Sequence, residues 1–151
     1  MKSIKDSVSR TKHWYHKRNV LKGVRVLIFD DEADNGERLR SLLHQESGAS
    51  VDVTQSLGTA IEMHRRTPYH TVIIGVRPGS WDAYEFLKAI RETDVEYKGF
   101  TPAIAVTGFA SPEDEQRAIT AGFNAYVSKP AALDLINAVS QVLRDSADRA
   151  A

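Results

Sequence analysis

No cysteine occurs anywhere in the 151 residues, which removes disulfides, thiolate nucleophiles and cysteine-ligated zinc from consideration. No apolar run approaches the roughly 18 residues that a membrane-spanning helix needs. The amino terminus is basic but lacks the apolar stretch of a secretory signal. Walker-type loops, glycine-rich dinucleotide fingerprints, internal repeats and low-complexity tracts are all missing from the sequence. A single soluble domain of ordinary core size, in the cytoplasm, is the expectation.

Net charge is lacking too, since 20 bases balance 20 acids, but the balance hides a segregation. Residues 1–22 hold seven bases and one acid, a net of +6, and the remainder, with 13 bases and 19 acids, carries −6. This divides the chain into a basic extension over 1–23, a domain over 24–146 and a polar tail over 147–151. In the extension Ile4, Val8, Thr11 and Tyr15 fall at helical spacing beside Trp14. That stripe is too thin to hold a helix in isolation. The extension is therefore expected to pack back on its own domain, to dock a partner protein or to mediate a homodimer. Nucleic acid is the disfavoured partner, because no recognised binding motif accompanies the charge.

From Val24 the pattern alternates between strand and helix. Val24–Phe29 reads as a strand and runs into Asp30-Asp31-Glu32; Leu39, Leu42 and Leu43 then mark a helix over about 35–45. Ser50–Thr54 is a second strand, and Leu57–Arg66 a second helix with Ser56 as its cap and Ala60, Ile61 and His64 on one side. The run Thr71-Val72-Ile73-Ile74-Gly75 is a buried strand. Asp82 and Glu85 suggest a capping box opening the third helix. Thr101–Val106 forms the fourth strand, ending in Thr107-Gly108, and Ser111-Pro112-Glu113-Asp114 opens the fourth helix, which Gly122 stops. Ala125–Ser128 is a short fifth strand, followed by Lys129-Pro130 and a last helix over 133–144. Five such alternations with short connections imply right-handed crossovers and a doubly wound parallel α/β sheet with helices on both faces.

In that architecture the strand ends converge on one rim, where ligands bind. The tips offer Asp30-Asp31, Gly75, Thr107 and Lys129-Pro130. Carboxylates suit Mg²⁺, while a lysine and a hydroxyl hold phosphoryl oxygens. Each residue also has a plainer reading. Asp30 and Asp31 could cap the first helix, Thr107 could be a strand-end hydroxyl, Tyr126 a half-buried aromatic, and Lys129-Pro130 a turn with a cis peptide. His13, His16, His44, His64 and His70 show no metal-ligand spacing and read as surface or helix-face residues.

Taken in order, these tips resemble the response-regulator receiver domain, the phosphoacceptor module of two-component signalling. Asp30-Asp31 matches the family's acidic pair, Thr107-Gly108 its hydroxyl and small residue, Tyr126 its fifth-strand aromatic and Lys129-Pro130 its Lys-Pro. Asp82-Ala83-Tyr84-Glu85-Phe86-Leu87 stands where the family has Asp-Gly-x-Glu-Leu-Leu. The resemblance implies a flavodoxin-like strand order 2-1-3-4-5. It also implies a phosphoacceptor aspartate seven residues before Asp82, and that position is Gly75. Pro78 sits one place before the family's proline, and Ala83 replaces the usual glycine.

Glycine offers no nucleophile for phosphotransfer. Any Mg²⁺ would be left with Asp31, the backbone carbonyl of Arg77 and Asp30 through water, hence weak binding at most and no required cofactor. Gly75→Asp would return the missing carboxylate, unless the glycine adopts a backbone conformation closed to aspartate. Lys129 remains as a countercharge for Asp30 or Asp31, and Arg77 either swings toward the acids or, the preferred reading, points outward into solvent. The expected function is thus a non-enzymatic pseudo-receiver. With no output domain after the last helix, it would act by contact with another signalling protein through the fourth helix, fifth strand and fifth helix, around Pro112–Gly122, Tyr126 and Leu133–Arg144. The alternatives are a relocated nucleophile at Asp30, Asp31 or Ser80, nucleic-acid binding through the basic extension, or a small ligand in the vacated pocket.

Overall fold

The computed structural model describes residues 19–108, 111–128 and 132–150. Its elements alternate as β1 (Arg25–Phe29), α1 (Ala33–Ser47), β2 (Ser50–Thr54), α2 (Leu57–Arg66), β3 (Thr71–Gly75), α3 (Trp81–Tyr97), β4 (Ala103–Thr107), α4 (Pro112–Ala121), β5 (Ala125–Ser128) and α5 (Ala132–Ala150). The strands form one parallel sheet in the order β2-β1-β3-β4-β5. The doubly wound, flavodoxin-like fold is as expected.

The inner strands are apolar along their middles because both faces of the sheet are covered. Leu27, Phe29, Val72, Ile74, Ala103 and Ala105 face α2, α3 and α4, where Ala60, Phe86, Ile90 and Ala118 close the first core. Val26, Ile28, Ile73, Ile104 and Val106 face α1 and α5, where Leu39, Leu43, Leu135 and Val139 close the second. Leu21 also belongs to this second core at 2% exposure, and its backbone N–H donates to the Ser47 carbonyl at 2.9 Å. Packing of the domain thus begins before Val24.

Caps follow the sequence at two helices and depart from it at a third. Ser56 Oγ accepts from the Thr59 N–H at 3.3 Å, and Ser111 Oγ from the Asp114 N–H at 3.1 Å. At α3 the capping residue is Ser80, whose side chain makes no cap bond, and Asp82 lies inside the first turn. The reason is that Ser80 Oγ is already engaged, accepting the Arg77 N–H at 2.8 Å. The last helix continues to Ala150, through the stretch read as a polar tail. Leu135, Ile136, Val139 and Val142 anchor it on the sheet, and the helix simply propagates outward from that seam.

Candidate functional site

The site is built where β1 and β3 end side by side. Ile74 pairs with Phe29 in β1, and Gly75 pairs with Val106 in β4, so the glycine closes the central strand. Asp30 follows directly after Phe29 and prolongs β1 by donating its N–H to the Thr54 carbonyl at 3.2 Å. This lays the Asp30 carboxylate across Gly75. A Cβ at position 75 would stand 2.6 Å from Asp30 Cγ, far inside contact distance. Gly75 is not among the glycines with positive φ. What excludes a side chain here is occupied space and not the backbone conformation considered from the sequence.

Asp30 is 1% exposed, and both of its oxygens accept hydrogen bonds. Oδ1 accepts the Glu32 N–H at 2.9 Å and Arg77 Nη2 at 2.6 Å, and Oδ2 accepts Asn35 Nδ2 at 2.6 Å. The bond to Glu32 anchors the entry to α1, but the capping residue there is Glu32 itself, so Asp30 does not cap the helix. Arg77 does more than meet Asp30. Its Nη1 donates to Asp31 Oδ1, and its Nη2 lies 3.4 Å from Glu32 Oε2. The outward, solvated Arg77 preferred from the sequence is therefore corrected: its guanidinium turns in and bridges three consecutive acids. Burial pulls the Arg77 pKa down, but the bond to Asp31 and the charges of Asp30, Asp31 and Glu32 outweigh it, so the net shift is upward.

The turn after β3 explains the direction of Arg77. Pro78 and Gly79, with Gly79 at φ +83°, are closed by a Ser80 N–H bond to the Arg77 carbonyl at 2.9 Å. Proline followed by a positive-φ glycine is the residue pair of a type II turn. Together with the Arg77 N–H bond to Ser80 Oγ, this fixes both backbone groups of Arg77. The early proline noticed in the sequence is thus part of a defined turn.

The other predicted residues lie at the same rim. Thr107 ends β4 and is buried; Tyr126 in β5 is half-buried and shares a side-chain hydrogen bond with it. Burial first, and then the charge of Asp114, raise the Tyr126 pKa. Beside them opens a pocket of about 220 Å³ whose lining includes Arg77, Trp81, Tyr84, Thr107, Arg117 and Tyr126. The Trp81 ring stands at its mouth and is 70% exposed. Lys129 and Pro130, with the countercharge and cis-peptide readings attached to them, lie outside the described residues.

The profile of the response regulator receiver domain matches residues 26–140. The chain belongs to the receiver-domain family. An uncharacterised 14.6 kDa protein from the sodA1 3' region of Leptolyngbya boryana is 36% identical over 118 residues, covering 77% of this chain and 87% of that protein. Probable histidine kinase 2 of Oryza sativa is 28% identical over 124 residues, of which this chain spans only 12% of the kinase's length. The solved receiver domain of the Arabidopsis thaliana histidine kinase CKI1, complexed with Mg²⁺ and BeF₃⁻, superposes with a TM-score of 0.73 at 23% identity, covering 85% of this chain and 95% of that one. This is a receiver domain of two-component signalling, and among its described residues no helix is long and apolar enough to cross a membrane.

The Mg²⁺ that the family implies can be tested against the donors of this receiver. Mg²⁺ demands near-octahedral oxygen ligation. Here three donors already occupy the two oxygens of the buried Asp30 carboxylate, Asp31 Oδ1 is held by the guanidinium, and position 75 contributes nothing. Among the described residues no group of three His, Asp or Glu side chains converges on a cation position. The residues do not fit the ion.

Sequence reasoning missed two features. Asn35 was read only as the start of a helix, although a polar residue in the first turn after a strand-tip acid is placed to reach back to it. The second is a buried network at the opposite end of the sheet. His64, read as a helix-face residue, is 1% exposed; its Nδ1 accepts the Tyr69 N–H at 3.2 Å and its Nε2 lies 3.3 Å from Thr101 Oγ1. Thr101 Oγ1 donates to Asp94 Oδ1 at 2.8 Å, and Arg91 Nη1 donates to Asp94 Oδ2 at 2.9 Å. With Nδ1 accepting, the ring is neutral and carries its proton on Nε2. His44 and His70 are exposed, in line with the surface reading.

Proposed function

We propose that this receiver is a pseudo-receiver, which signals by contact with another protein and not by carrying a phosphoryl group. The observation that carries the reading is the Asp30 carboxylate lying where a side chain at position 75 would begin. Phosphotransfer needs a carboxylate nucleophile with an open line of attack. Gly75 has none, Asp30 is buried with its oxygens occupied, and the accepting oxygen of Asp31 faces Arg77. Ser80, the remaining substitute, spends its hydroxyl oxygen on the Arg77 N–H. These engagements speak against a relocated nucleophile.

The contact surface in this proposal is the face of α4, β5 and α5. On α4, Ile119 is 50% exposed, an apolar side chain available to a partner. Tyr126 connects this face to the rim through Thr107. A kinase or another protein of a two-component pathway, in a cytoplasmic setting, is the proposed partner class. Residues 1–18 of the basic extension, which is proposed as a second contact or as a nucleic-acid arm, lie outside the described residues.

Treatment with acetyl phosphate and Mg²⁺, followed by intact-mass measurement, tests the reading, with an active receiver labelled in parallel. The expected result is no added phosphoryl mass on this chain. A hydroxylamine-labile phosphoryl adduct would sink the proposal and direct attention to Asp30 or Asp31.

A further inference from the structure

We infer that Arg77 replaces the divalent cation of a receiver site: its guanidinium serves as a permanent, covalently tethered counterion for Asp30, Asp31 and Glu32, making this rim independent of metal. The inference does not depend on whether any residue accepts phosphate.

Three observations converge on it. First, the guanidinium sits among the acids with its two terminal nitrogens divided between them: Nη2 at 2.6 Å from Asp30 and 3.4 Å from Glu32, and Nη1 on Asp31. A planar fork of donors can bridge several carboxylates at once, as a metal ion does, though without needing six oxygen ligands. Second, the position is prepared by backbone. The Pro78-Gly79 turn and the Arg77 N–H bond to Ser80 Oγ hold the residue that carries the cation. Third, the carboxylate that would have shared the cation is missing, and Asp30 has taken its space. With Gly75 in place, Asp30 can lean over β3 and reach the guanidinium while also accepting from Asn35 and from the Glu32 N–H.

Electrostatics gives the arrangement its consequence. Asp30 is buried, and a buried carboxylate without a counterion is costly. A soluble Mg²⁺ fills that role only when it is present and bound. A tethered arginine fills it always, because guanidinium does not deprotonate at accessible pH. The countercharge at the rim is therefore constant, indifferent to metal concentration.

Thermal melting in chelator and in millimolar Mg²⁺ or Mn²⁺ tests this on the full chain, its Arg77→Ala variant and its Arg77→Met variant. The unaltered chain is expected to melt at the same temperature in all three conditions. The variants are expected to melt lower in chelator and to recover with metal, because three acids lose the guanidinium that bridges them. At ten times the dissociation constant the recovery amounts to about 3–6 °C. Water-proton relaxation in a Mn²⁺ titration supplies a second readout, with a specific site expected in the variants alone. Metal-dependent melting or a submillimolar Mn²⁺ site in the unaltered chain would overturn the inference. Variants that melt alike with and without metal, or that stay unfolded in both, would overturn it equally, since the cation would then be no substitute for the arginine.

Discussion

At the scale of a single residue, Gly75 matters through the space it leaves. Asp30 fills that space and is fixed there by Asn35, the Glu32 N–H and Arg77. Adding even a methyl group forces this carboxylate out of its bonds. Gly75→Ala is therefore expected to destabilise the domain by about 1–3 kcal/mol, the usual cost of overpacking a close contact. Gly75→Asp is expected to cost more, because a second carboxylate then meets the first, and it restores no Mg²⁺ affinity while Arg77 stays in place. Denaturant midpoints of Gly75→Ala, Asp30→Ala and the double variant check the mechanism. With the obstruction gone, the double variant should lose clearly less than the sum of the single losses. Additive losses would mean that the glycine answers some other constraint. The resemblance put the family's phosphoacceptor position at Gly75, but it could not show Asp30 leaning into the gap, because that contact joins two strand tips 45 residues apart.

At the scale of elements, the network around His64 ties α2 to the start of β4 and to α3. Periodicity placed His64 with Ala60 on the inner side of α2 and offered no partner for it. Its partners are a backbone N–H at Tyr69, Thr101 just before β4, and through Thr101 the Asp94–Arg91 pair at the end of α3. None of these falls at a helical spacing, so a pattern-based reading could not collect them. Burial lowers the His64 pKa, the charge of Asp94 opposes that shift, and Arg25 and Arg91 reinforce it. The folded chain therefore binds its proton less readily than the unfolded chain, whose histidine titrates near 6.5. Stability from the neutral ring is complete above about pH 6.5 and is lost as the pH falls toward the lowered folded-state value. In His64→Gln this loss should vanish. The stability gap between the two proteins is expected to be widest near about pH 7.5 and to narrow steadily toward about pH 5. A gap that stays constant across that range would show that the ring does not titrate on unfolding.

For the whole molecule, the fold was readable because its rules are local. Continuous apolar runs within the inner strands announce a sheet covered on both faces, serine caps mark two helices, and alternation restricts the topology to right-handed crossovers. The direction of Arg77 was not readable, since an arginine two residues past a strand tip suits either solvent or an acid, and only the turn made by Pro78 and Gly79 decides. The lower boundary of the domain shows the same limit. Charge segregation drew it after Gly23, because the basic residues continue through Lys22. Packing draws it earlier, because Leu21 is buried among Val26, Leu39, Leu43 and Val139 while its N–H pairs with Ser47 and its carbonyl accepts from Val24 at 2.9 Å. A chain beginning at residue 19 is thus expected to be more stable than one beginning at residue 24 by about 2–4 kcal/mol, the range for emptying a buried leucine site. Leu21→Ala in the full chain should reproduce most of that difference, since the side chain and not the positive charge beside it carries the effect. Urea unfolding of the two truncations and of the substituted chain separates the contributions. If the truncations prove equally stable, Leu21 adds nothing to the core and the boundary returns to where the charges change.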